Sequence, residues 1–467
     1  MRYLLILFCS FFLISYLISH ISPVHAQTPA FSLLWQYNGG SWAEHPILKD
    51  GIAYIPWTGG KLTAIELTTG KVLHSASGIA SATAPFITGN SIYSFTHGTM
   101  TELNLDTFSP IRSFSIPSGF YVENIPFDAE TGYFFARQAS ETDWKGRLTA
   151  FRVSDWGSVW SYPASNTGGF SDHQSPLVVG DSVYLQSTNI NWSGAGAFIR
   201  LNKKTGQVIW STTLGSPSRY GYNNPIYDVE HDIFYVTESY NSLTSTVYAI
   251  RRSNGAIAWK KNIPGYAIES TISYHNDMIY LPLHNFSGTG SYMAISATDG
   301  SQIWHEPGFF GEDGWSATGV DDKYLYRITH GTGSRIIVQD RLTGALVWSY
   351  TINSVAPCFN PILSNGIVLL GSETSVYALK VSTGQAVDSD FHGLNAAGYN
   401  PGAINWGSSP PTPTPIQTAG DYNRDGDVDY ADLTLLLSAF GQTNSSYNLT
   451  GSTRIDIFDF HQISSIF

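Results

Sequence analysis

The residues with the most specific chemical pattern lie near the end of the chain, in residues 421–432. Side chains that carry oxygen stand at positions 1, 3, 5, 9 and 12 of this segment, which are Asp421, Asn423, Asp425, Asp429 and Asp432. Gly426 stands at position 6, where a calcium loop turns sharply, and Asp427 at position 7 can offer its backbone carbonyl. Because Ca²⁺ takes about six to eight oxygen ligands, this spacing predicts one tight calcium site.

A second copy of the same spacing follows, with weaker ligands. Its five positions hold Asn448, Thr450, Ser452, Asp456 and Asp459. Only the last two are carboxylates, and Thr453 replaces the turn glycine, although a β-branched residue resists positive φ. The second copy therefore predicts a weak calcium site at most.

A helix is predicted behind each loop. Apolar residues at the spacing of one helix face follow the first loop, at Leu433, Leu436, Leu437 and Phe440, and Gly441 ends the pattern. Phe460, Ile463 and Phe467 repeat the pattern behind the second loop. These elements predict a small α-helical calcium-loop domain.

Two loop-helix units with Asp at position 12 resemble a dockerin, and the resemblance covers residues 421–467. Dockerins are calcium-dependent modules that bind cohesin modules on scaffolding proteins or cell surfaces. The resemblance implies a cohesin-like partner, recognised by the residues at loop positions 10 and 11, which are Tyr430, Ala431, Ile457 and Phe458. The alternative for Ile457 and Phe458 is a place in the core of the module.

The elements that precede this module follow one pattern, repeated eight times between Pro46 and Asp388. Each copy has three short strands, a turn that usually ends in glycine, and a tryptophan four residues later. The turn glycines include Gly70, Gly157, Gly206, Gly255, Gly300, Gly344 and Gly384. The tryptophan positions are Trp35, His74, Phe114, Trp160, Trp210, Trp259, Trp304, Trp348 and Asp388. A spacing of about 40 to 50 residues is typical of a four-stranded propeller blade.

The template predicts an all-β, eight-bladed β-propeller, with seven blades as the alternative. Period-two runs such as residues 51–55 predict half-buried strands, and each indole is expected to fill the wedge between adjacent blades. Trp35 has no repeat before it. We therefore expect an N-terminal strand around Trp35 to complete the last blade and close the ring.

This pattern resembles the pyrroloquinoline-quinone-type repeat, over about residues 35–406. The resemblance implies the propeller fold and not the cofactor. Quinone-dependent dehydrogenases of this fold carry an adjacent cysteine pair, whereas Cys358 is the only cysteine after the leader, and no haem-attachment motif occurs. We therefore expect no pyrroloquinoline quinone.

The N-terminus predicts export. Arg2 precedes an apolar run over residues 3–18, and the small residues around Ala26 suit a signal peptidase. An uncleaved membrane anchor is the alternative, since the run nearly reaches spanning length. After cleavage no membrane span is expected, so the mature protein is predicted to be secreted or attached to the cell surface.

Composition agrees with an exported protein that does not bind nucleic acid. Net charge is −12 and only 13% of residues are charged, so a basic stripe for nucleic acid is not expected. The predicted organisation is a signal peptide (1–26), the propeller (27–406), a Pro/Thr linker (407–420) and the dockerin-like module (421–467).

Residues that precede the innermost strands should gather at one mouth of the central channel. The candidate ligand face comprises Trp42, Glu44, Tyr121, Glu123, His173, Tyr222, Glu269 and Trp315. Aromatic faces beside carboxylates suit polysaccharide binding and could also supply a catalytic acid pair. Two functions follow: a non-catalytic recognition or scaffold propeller tethered by its dockerin, or a carbohydrate-active enzyme (a glycosidase or lyase) delivered by it. No catalytic motif was identified, which favours the first.

Overall fold

The computed structural model describes residues 31–79, 85–96, 99–115, 120–123, 125–140, 146–163, 176–187, 196–215, 225–240, 244–268, 271–285, 289–306, 318–329, 333–352, 357–364 and 366–381. These residues form 33 strands in eight separate antiparallel sheets. The eightfold count confirms the all-β, eight-bladed propeller and excludes the seven-bladed alternative. Among the described residues, no helix is long and apolar enough to cross a membrane.

Blades 1 to 4 follow the order of the chain, each from its innermost to its outermost strand. Blade 1 comprises β2 (Ile47–Lys49), β3 (Ile52–Trp57), β4 (Lys61–Glu66) and β5 (Val72–Ala76). Blade 2 comprises β6 (Phe86–Thr88), β7 (Ser91–Thr96), β8 (Thr99–Asn104) and β9 (Pro110–Ser115). Blade 3 comprises β10 (Phe120–Glu123), β11 (Phe127–Asp128), β12 (Tyr133–Ser140), β13 (Gly146–Arg152) and β14 (Ser158–Pro163). Blade 4 comprises β15 (Leu177–Val179), β16 (Ser182–Ser187), β17 (Ala197–Asn202) and β18 (Val208–Thr213).

Blades 5 to 7 repeat this order, and blade 8 takes one strand from the N-terminus. Blade 5 comprises β19 (Ile226–Asp228), β20 (Ile233–Tyr240), β21 (Thr244–Arg251) and β22 (Ile257–Pro264). Blade 6 comprises β23 (Ser273–His275), β24 (Met278–Asn285), β25 (Thr289–Ser296) and β26 (Gln302–Glu306). Blade 7 comprises β27 (Gly319–Val320), β28 (Tyr324–Ile328), β29 (Arg335–Asp340) and β30 (Leu346–Thr351). Blade 8 comprises β31 (Pro357–Ser364), β32 (Ile367–Ser372), β33 (Ser375–Lys380) and β1 (Ser32–Asn38).

The N-terminal strand closes the ring, as the position of Trp35 predicted. β1 pairs antiparallel with β33, and Trp35 lies opposite Ala378. The Trp35 indole N–H donates to the Leu67 carbonyl of blade 1 at 2.8 Å. One short strand therefore completes blade 8 and also contacts blade 1 across the closure point.

The middle strands are more deeply buried than the sequence predicted. In β3, every residue after Ile52 is buried, so the expected half-buried alternation is wrong for this strand. The reason is that a middle strand packs against a neighbouring blade on both faces. One core cluster shows this, since it joins Ile55 of β3 to Leu369 and Val376 of blade 8. Alternation occurs instead in outer strands such as β18.

Tryptophans of the outer strands link neighbouring blades. Each of five indole N–H groups donates to a backbone carbonyl of the next blade, in the pairs Trp35–Leu67, Trp160–Lys203, Trp210–Arg252, Trp259–Ala297 and Trp304–Arg341. The indole also covers the turn glycine of that blade. A Cβ on Gly255, for example, would lie 2.8 Å from the Trp210 ring. The indole wedge is therefore confirmed, and it explains why the turn residue is glycine.

Blade 2 departs from the predicted alignment. The template places Phe114 at its tryptophan position, but Arg112 pairs with Glu102 as Trp160 pairs with Ala150. The assignment of Phe114 is therefore wrong. The Arg112 guanidinium takes the role of the indole, because its Nη2 donates to the Val153 carbonyl of blade 3 at 2.6 Å.

Blade 3 shows the matching change in its turn. The residue at the glycine position is Trp156 and not Gly157, because the Trp156 N–H closes the turn onto the Arg152 carbonyl and Trp156 has φ 63°. The Arg112 guanidinium lies 4.7 Å from the centre of the Trp156 ring. At this junction an arginine stands at the tryptophan position and a tryptophan at the glycine position, and a cation–π contact replaces the indole wedge.

Candidate functional site

Trp42 and Glu44 lie on the segment that leads from β1 into blade 1. Ala43 between them forms an isolated antiparallel bridge to Trp57, and the Glu44 N–H donates to the Pro56 carbonyl at 2.8 Å. Because side chains of an extended segment alternate, Trp42 and Glu44 lie on one side and Ala43 on the other. Trp42 is 45% exposed and Glu44 is half-buried. The predicted aromatic and carboxylate groups are therefore neighbours.

The same segment is anchored by a second aromatic cluster that the sequence did not single out. The Lys61 ammonium donates to the Tyr37 hydroxyl at 2.7 Å, and it lies 5.0 Å and 5.7 Å from the ring centres of Tyr37 and Trp57. Trp57 is fully buried against Gly39, where a Cβ would lie 2.1 Å from the indole. Burial lowers the pKa of His45 to about 3, so this imidazole is neutral at ordinary pH. The segment is thus fixed by packing.

Blade 3 carries an equivalent segment. Gln138 of β12 occupies in blade 3 the position that Trp57 of β3 occupies in blade 1. Each of them lies three residues after an aromatic residue, and the strand register aligns that aromatic residue with the tryptophan position of the outer strand. Val122 pairs with Gln138, as Ala43 pairs with Trp57. The segments entering blades 1 and 3 therefore have the same register and lie at the same mouth.

This register makes Tyr121 equivalent to Trp42, and Glu123 equivalent to Glu44. An aromatic residue two positions before a glutamate thus recurs at the same height of the ring. In the backbone register Glu123 lies opposite Arg137, a buried residue that the sequence did not single out. Only the pairing pattern of the finished sheet could have identified Arg137.

Two serines hold the corresponding segment of blade 6. The hydroxyls of Ser239 and Ser245, both fully buried, accept the Ile268 N–H at 3.0 and 2.8 Å. Ser239 donates to the Ile268 carbonyl and Ser245 to the Tyr266 carbonyl. Blade 5 therefore fixes the backbone that leads into blade 6, immediately before the predicted Glu269.

The remaining predicted residues lie outside the described ranges. On the ligand face these are His173, Tyr222, Glu269 and Trp315. All predicted calcium ligands and the four predicted cohesin contacts fall after Val381, the last described residue. Within the described residues, no group of three or more His, Cys, Asp or Glu side chains is arranged to hold a metal ion.

The described side chains of this segment offer an aromatic surface, a carboxylate and a cation within a rigid frame. Trp42 presents an exposed ring beside Glu44, and Lys61 supplies an ammonium group on the neighbouring hairpin. Such a surface can stack against an apolar face of a ligand and accept hydrogen bonds from its hydroxyl groups.

The family model described as "Outer membrane protein assembly factor BamB" matches residues 32–261 and 244–398. These two matches together span all eight blades. The chain belongs to this family. Membership confirms the repeat type that the turn glycines and tryptophans indicated.

Two curated relatives match parts of this chain. The tetrathionate hydrolase of Acidithiobacillus ferrooxidans is 24% identical over an alignment of 229 residues, which covers 44% of this chain and 43% of that protein. The tetrathionate hydrolase of Acidianus ambivalens is 26% identical over an alignment of 137 residues, which covers 24% of each chain. The match thus spans less than half the length of these relatives.

Solved structures of the same fold come from proteins with different titles. The quinohemoprotein alcohol dehydrogenase from Comamonas testosteroni gives a TM-score of 0.61 at 14% identity, covering 76% of this chain and 77% of that chain. A europium-containing methanol dehydrogenase gives 0.60 at 10% identity, covering 76% and 94%. BamB from Moraxella catarrhalis gives 0.57 at 11% identity, covering 76% and 98%. At these identities the likeness shows the fold alone.

Proposed function

We propose that the chain is an exported, non-catalytic recognition propeller that a calcium-dependent dockerin-like module attaches to a cohesin-type partner. The observation that carries this proposal is the spacing of oxygen ligands and Gly426 over residues 421–432, which follows a Pro/Thr linker. Calcium is the cofactor of the proposed function, and pyrroloquinoline quinone has no part in it. The protein acts outside the cytoplasm, in the binding or breakdown of polysaccharide.

The mouth of the propeller supports a recognition role. Trp42 with Glu44, and Tyr121 with Glu123, occupy equivalent register positions on two blades. Repetition of one aromatic-carboxylate pair around a mouth suits a ligand that is itself repetitive, such as a glycan chain. Each aromatic ring would stack on a sugar face, and each carboxylate would accept hydrogen bonds from sugar hydroxyls.

The dockerin half of the proposal is tested by calcium-dependent capture of the full chain. Immobilised cohesin modules should retain the chain in calcium and release it when a chelator is added. Asp421→Ala with Asp432→Ala should abolish capture, because both terminal ligands of the first loop are lost. Asp456→Ala with Asp459→Ala, at the equivalent positions of the second loop, is the matched control and should weaken capture less. Capture that does not depend on calcium would contradict this role.

An enzyme is the second candidate, and a specific observation favours it. Part of this chain, in an alignment of 229 residues, is similar to a tetrathionate hydrolase. The carboxylates at the mouth could also serve as the acid and base of a glycosidase or lyase delivered by the dockerin.

The two candidates differ in a direct assay. The full chain should be incubated with tetrathionate and with a panel of polysaccharides, and the products should be measured. If the wild type turns over a substrate and Glu44→Gln lowers that turnover at least about 100-fold, the propeller is an enzyme and not a recognition module. A general acid–base group contributes about that factor to the reaction rate. Binding without turnover supports the recognition propeller.

A further inference from the structure

The junction between blades 1 and 2 departs from the usual pair of tryptophan and glycine. His74 occupies the tryptophan position of blade 1, since it pairs with Ala64 in the register of the outer tryptophans. Phe108 occupies the glycine position of blade 2, because its N–H closes the turn onto the Asn104 carbonyl. The large aromatic ring of this junction therefore comes from blade 2 and not from blade 1.

Phe108 is a strained residue. Its φ is 57°, a left-handed conformation that is unfavourable for a bulky side chain. The ring is nonetheless buried, and its centre lies 6.2 Å from the ring of Tyr54 and 6.0 Å from the ring of His74. Such strain persists only where the surroundings hold the residue in place. The closed junction thus stores strain that opening would release.

The junction also lacks the hydrogen bond that fixes its neighbours. Among the described contacts, none joins the exposed His74 ring to a carbonyl of blade 2, whereas Trp35 and Arg112 make this bond at the junctions on either side. The described side-chain hydrogen bond that does cross the junction is an exposed one, from the Lys49 ammonium to the Gly89 carbonyl at 2.8 Å. Weak polar contacts therefore oppose opening here.

The junction between blades 2 and 3 shows that an aromatic residue at the glycine position does not by itself loosen two blades. Trp156 also has a positive φ, of 63°. Arg112, however, donates to the carbonyls of Val153 and Ser154 at 2.6 and 2.8 Å, and its guanidinium lies over the Trp156 ring. Blade 2 is thus firmly fixed to blade 3 and only loosely joined to blade 1.

The loose junction lies beside the candidate site. Ala43 and Trp57 belong to the core cluster that blade 1 shares with blade 8, so they face blade 8. Trp42 and Glu44 lie on the other side of the same segment and therefore face blade 2. A movement of blade 2 away from blade 1 changes the space over the exposed Trp42 ring.

We propose that the junction between blades 1 and 2 opens and closes in the folded ring and is the gate of the mouth site. Opening separates Phe108 from Tyr54 and exposes the apolar cluster that contains Ala64 and Leu103, while the hydrogen bonds within each sheet stay intact. A ligand that binds Trp42 and contacts blade 2 holds the junction closed. The role as a gate rests on the proposed recognition function, whereas the opening itself does not.

Labelling of buried thiols in the folded full chain tests the opening. Ala64→Cys places a thiol in this junction. Ala249→Cys is the matched control, because Ala249 is equally buried and holds the same repeat position at the junction between blades 5 and 6. Both changes are made in a background with Cys9→Ser and Cys358→Ser. Global unfolding exposes both thiols alike, so a difference in rate reports local opening.

The thiol at position 64 should react with an uncharged maleimide at least about tenfold faster than the control thiol, since one missing hydrogen bond shifts an opening equilibrium by about that factor. Unfolding midpoints establish that the variants fold. If Ala64→Cys does not fold, Leu103→Cys and Ile295→Cys provide the same comparison from the other side of the two junctions. Equal rates at the two junctions would overturn the proposal.

Restoring the usual pair should close the junction. In His74→Trp with Phe108→Gly, an indole again covers a glycine, so labelling at position 64 should slow at least about tenfold. Labelling at the control junction should not change. An unchanged rate at position 64 in a folded variant would also overturn the proposal, because the unusual pair would then not be the cause of opening.

Cellohexaose and xylohexaose serve as probes of the gate. A hexasaccharide that binds, added at about ten times its dissociation constant, should slow labelling at position 64 about tenfold, because it binds only the closed form. The control thiol should react as before. Binding without this protection would overturn the gate. If neither probe binds, the gate is lost together with the recognition of these glycans, whereas the comparison of the two junctions still decides whether the ring opens.

Discussion

Single side chains determine how each blade packs against the next. At most junctions a tryptophan covers a glycine, whereas between blades 2 and 3 Arg112 covers Trp156. The carbonyl that accepts the hydrogen bond is the same in both cases, counted along the repeat. What these junctions share is therefore a donor and a flat contact surface, and not a particular residue pair.

The glycine requirement can be tested on blade 5. Gly255→Ala should lower the free energy of unfolding by about 2–4 kcal/mol, since it combines strain at φ 73° with a clash against Trp210. Gly265→Ala is the matched control, because φ is 83° there but nothing lies within 4 Å of the added Cβ. It should cost only about 1–2 kcal/mol. If the two substitutions lower the free energy of unfolding equally in urea, the contact with the indole does not contribute to the glycine requirement.

The exposed ring of Trp42 gives a prediction for the mouth. If this face binds glycans, Trp42→Ala should weaken binding by about 1–3 kcal/mol, which is the contribution of one aromatic stack at an interface. Intrinsic fluorescence should also shift when the wild type binds. Ile111→Ala, on the outer edge of blade 2, is a suitable control and should change nothing. The absence of binding across a broad glycan array would remove the carbohydrate interpretation of this face.

His231 gives a prediction for pH dependence. Its hydrogen bond to Asp228 at 2.8 Å raises the pKa of His231, and the charge of Asp277 in blade 6 raises it further. The protonated form is therefore favoured in the folded state. The resulting stability is fully present below the ordinary pKa of about 6.5, and it is lost as pH rises through the elevated value.

The effect of His231 should be small. Its side chain is 46% exposed, so solvent screening limits the contribution to about 0.5 kcal/mol. Urea unfolding should show the wild type gaining that amount between pH 8.5 and 5.5, and His231→Gln gaining less. High salt should reduce the difference. An identical pH profile in the variant would rule out this contact as the cause.

At the scale of elements, β1 is the strand on which closure depends. Deleting residues 32–37 removes the pairing with β33 and the Trp35 indole contact to Leu67. We expect the unfolding midpoint to fall by about 10 °C, which corresponds to a loss of several kcal/mol in a domain of this size. Removing residues 27–30 instead is the control and should leave the midpoint nearly unchanged. If both deletions behave alike in differential scanning fluorimetry, closure does not rest on β1.

Element number and closure could be predicted because the tryptophan and glycine positions recur at nearly constant spacing. The alignment failed in blade 2, where both markers were absent, and at the turn of blade 3, where Trp156 and not Gly157 stands at the glycine position. Blade 2 has Arg112 and not a tryptophan. The tryptophan position was therefore assigned to Phe114, the aromatic residue two positions later. The register shift next to this position, which follows Glu102, is set by hydrogen bonds between strands and has no marker in the sequence.

The candidate site was harder to predict than the fold. Trp42 and Glu44 were identified because aromatic and acidic residues precede a strand. Lys61 and Arg137 were not, because their neighbours come from other strands and depend on register. Segments between blades lack the repeat pattern, so their positions are not specified by periodicity.

At the scale of the whole molecule, the two calcium loops are expected to be unequal. Calorimetric titration of the full chain should show one tight calcium, because the first loop has more carboxylates and a turn glycine. Asp421→Ala with Asp432→Ala should remove it, whereas Asp456→Ala with Asp459→Ala should preserve it. Two sites of equal affinity would show that the weaker ligands of the second loop are sufficient.

The pairing of β1 with β33 also sets the order in which the chain can fold. Gln36 and Tyr377 contact each other although they are 341 residues apart. At about 5–20 residues per second, roughly 20–70 s of synthesis separate the two partners. Closing a loop of that length costs about 5 kcal/mol of chain entropy, which only the finished ring recovers. Among the described strands, the first one made is thus the last to be paired, and until then both ends of the growing arc can pair with other strands.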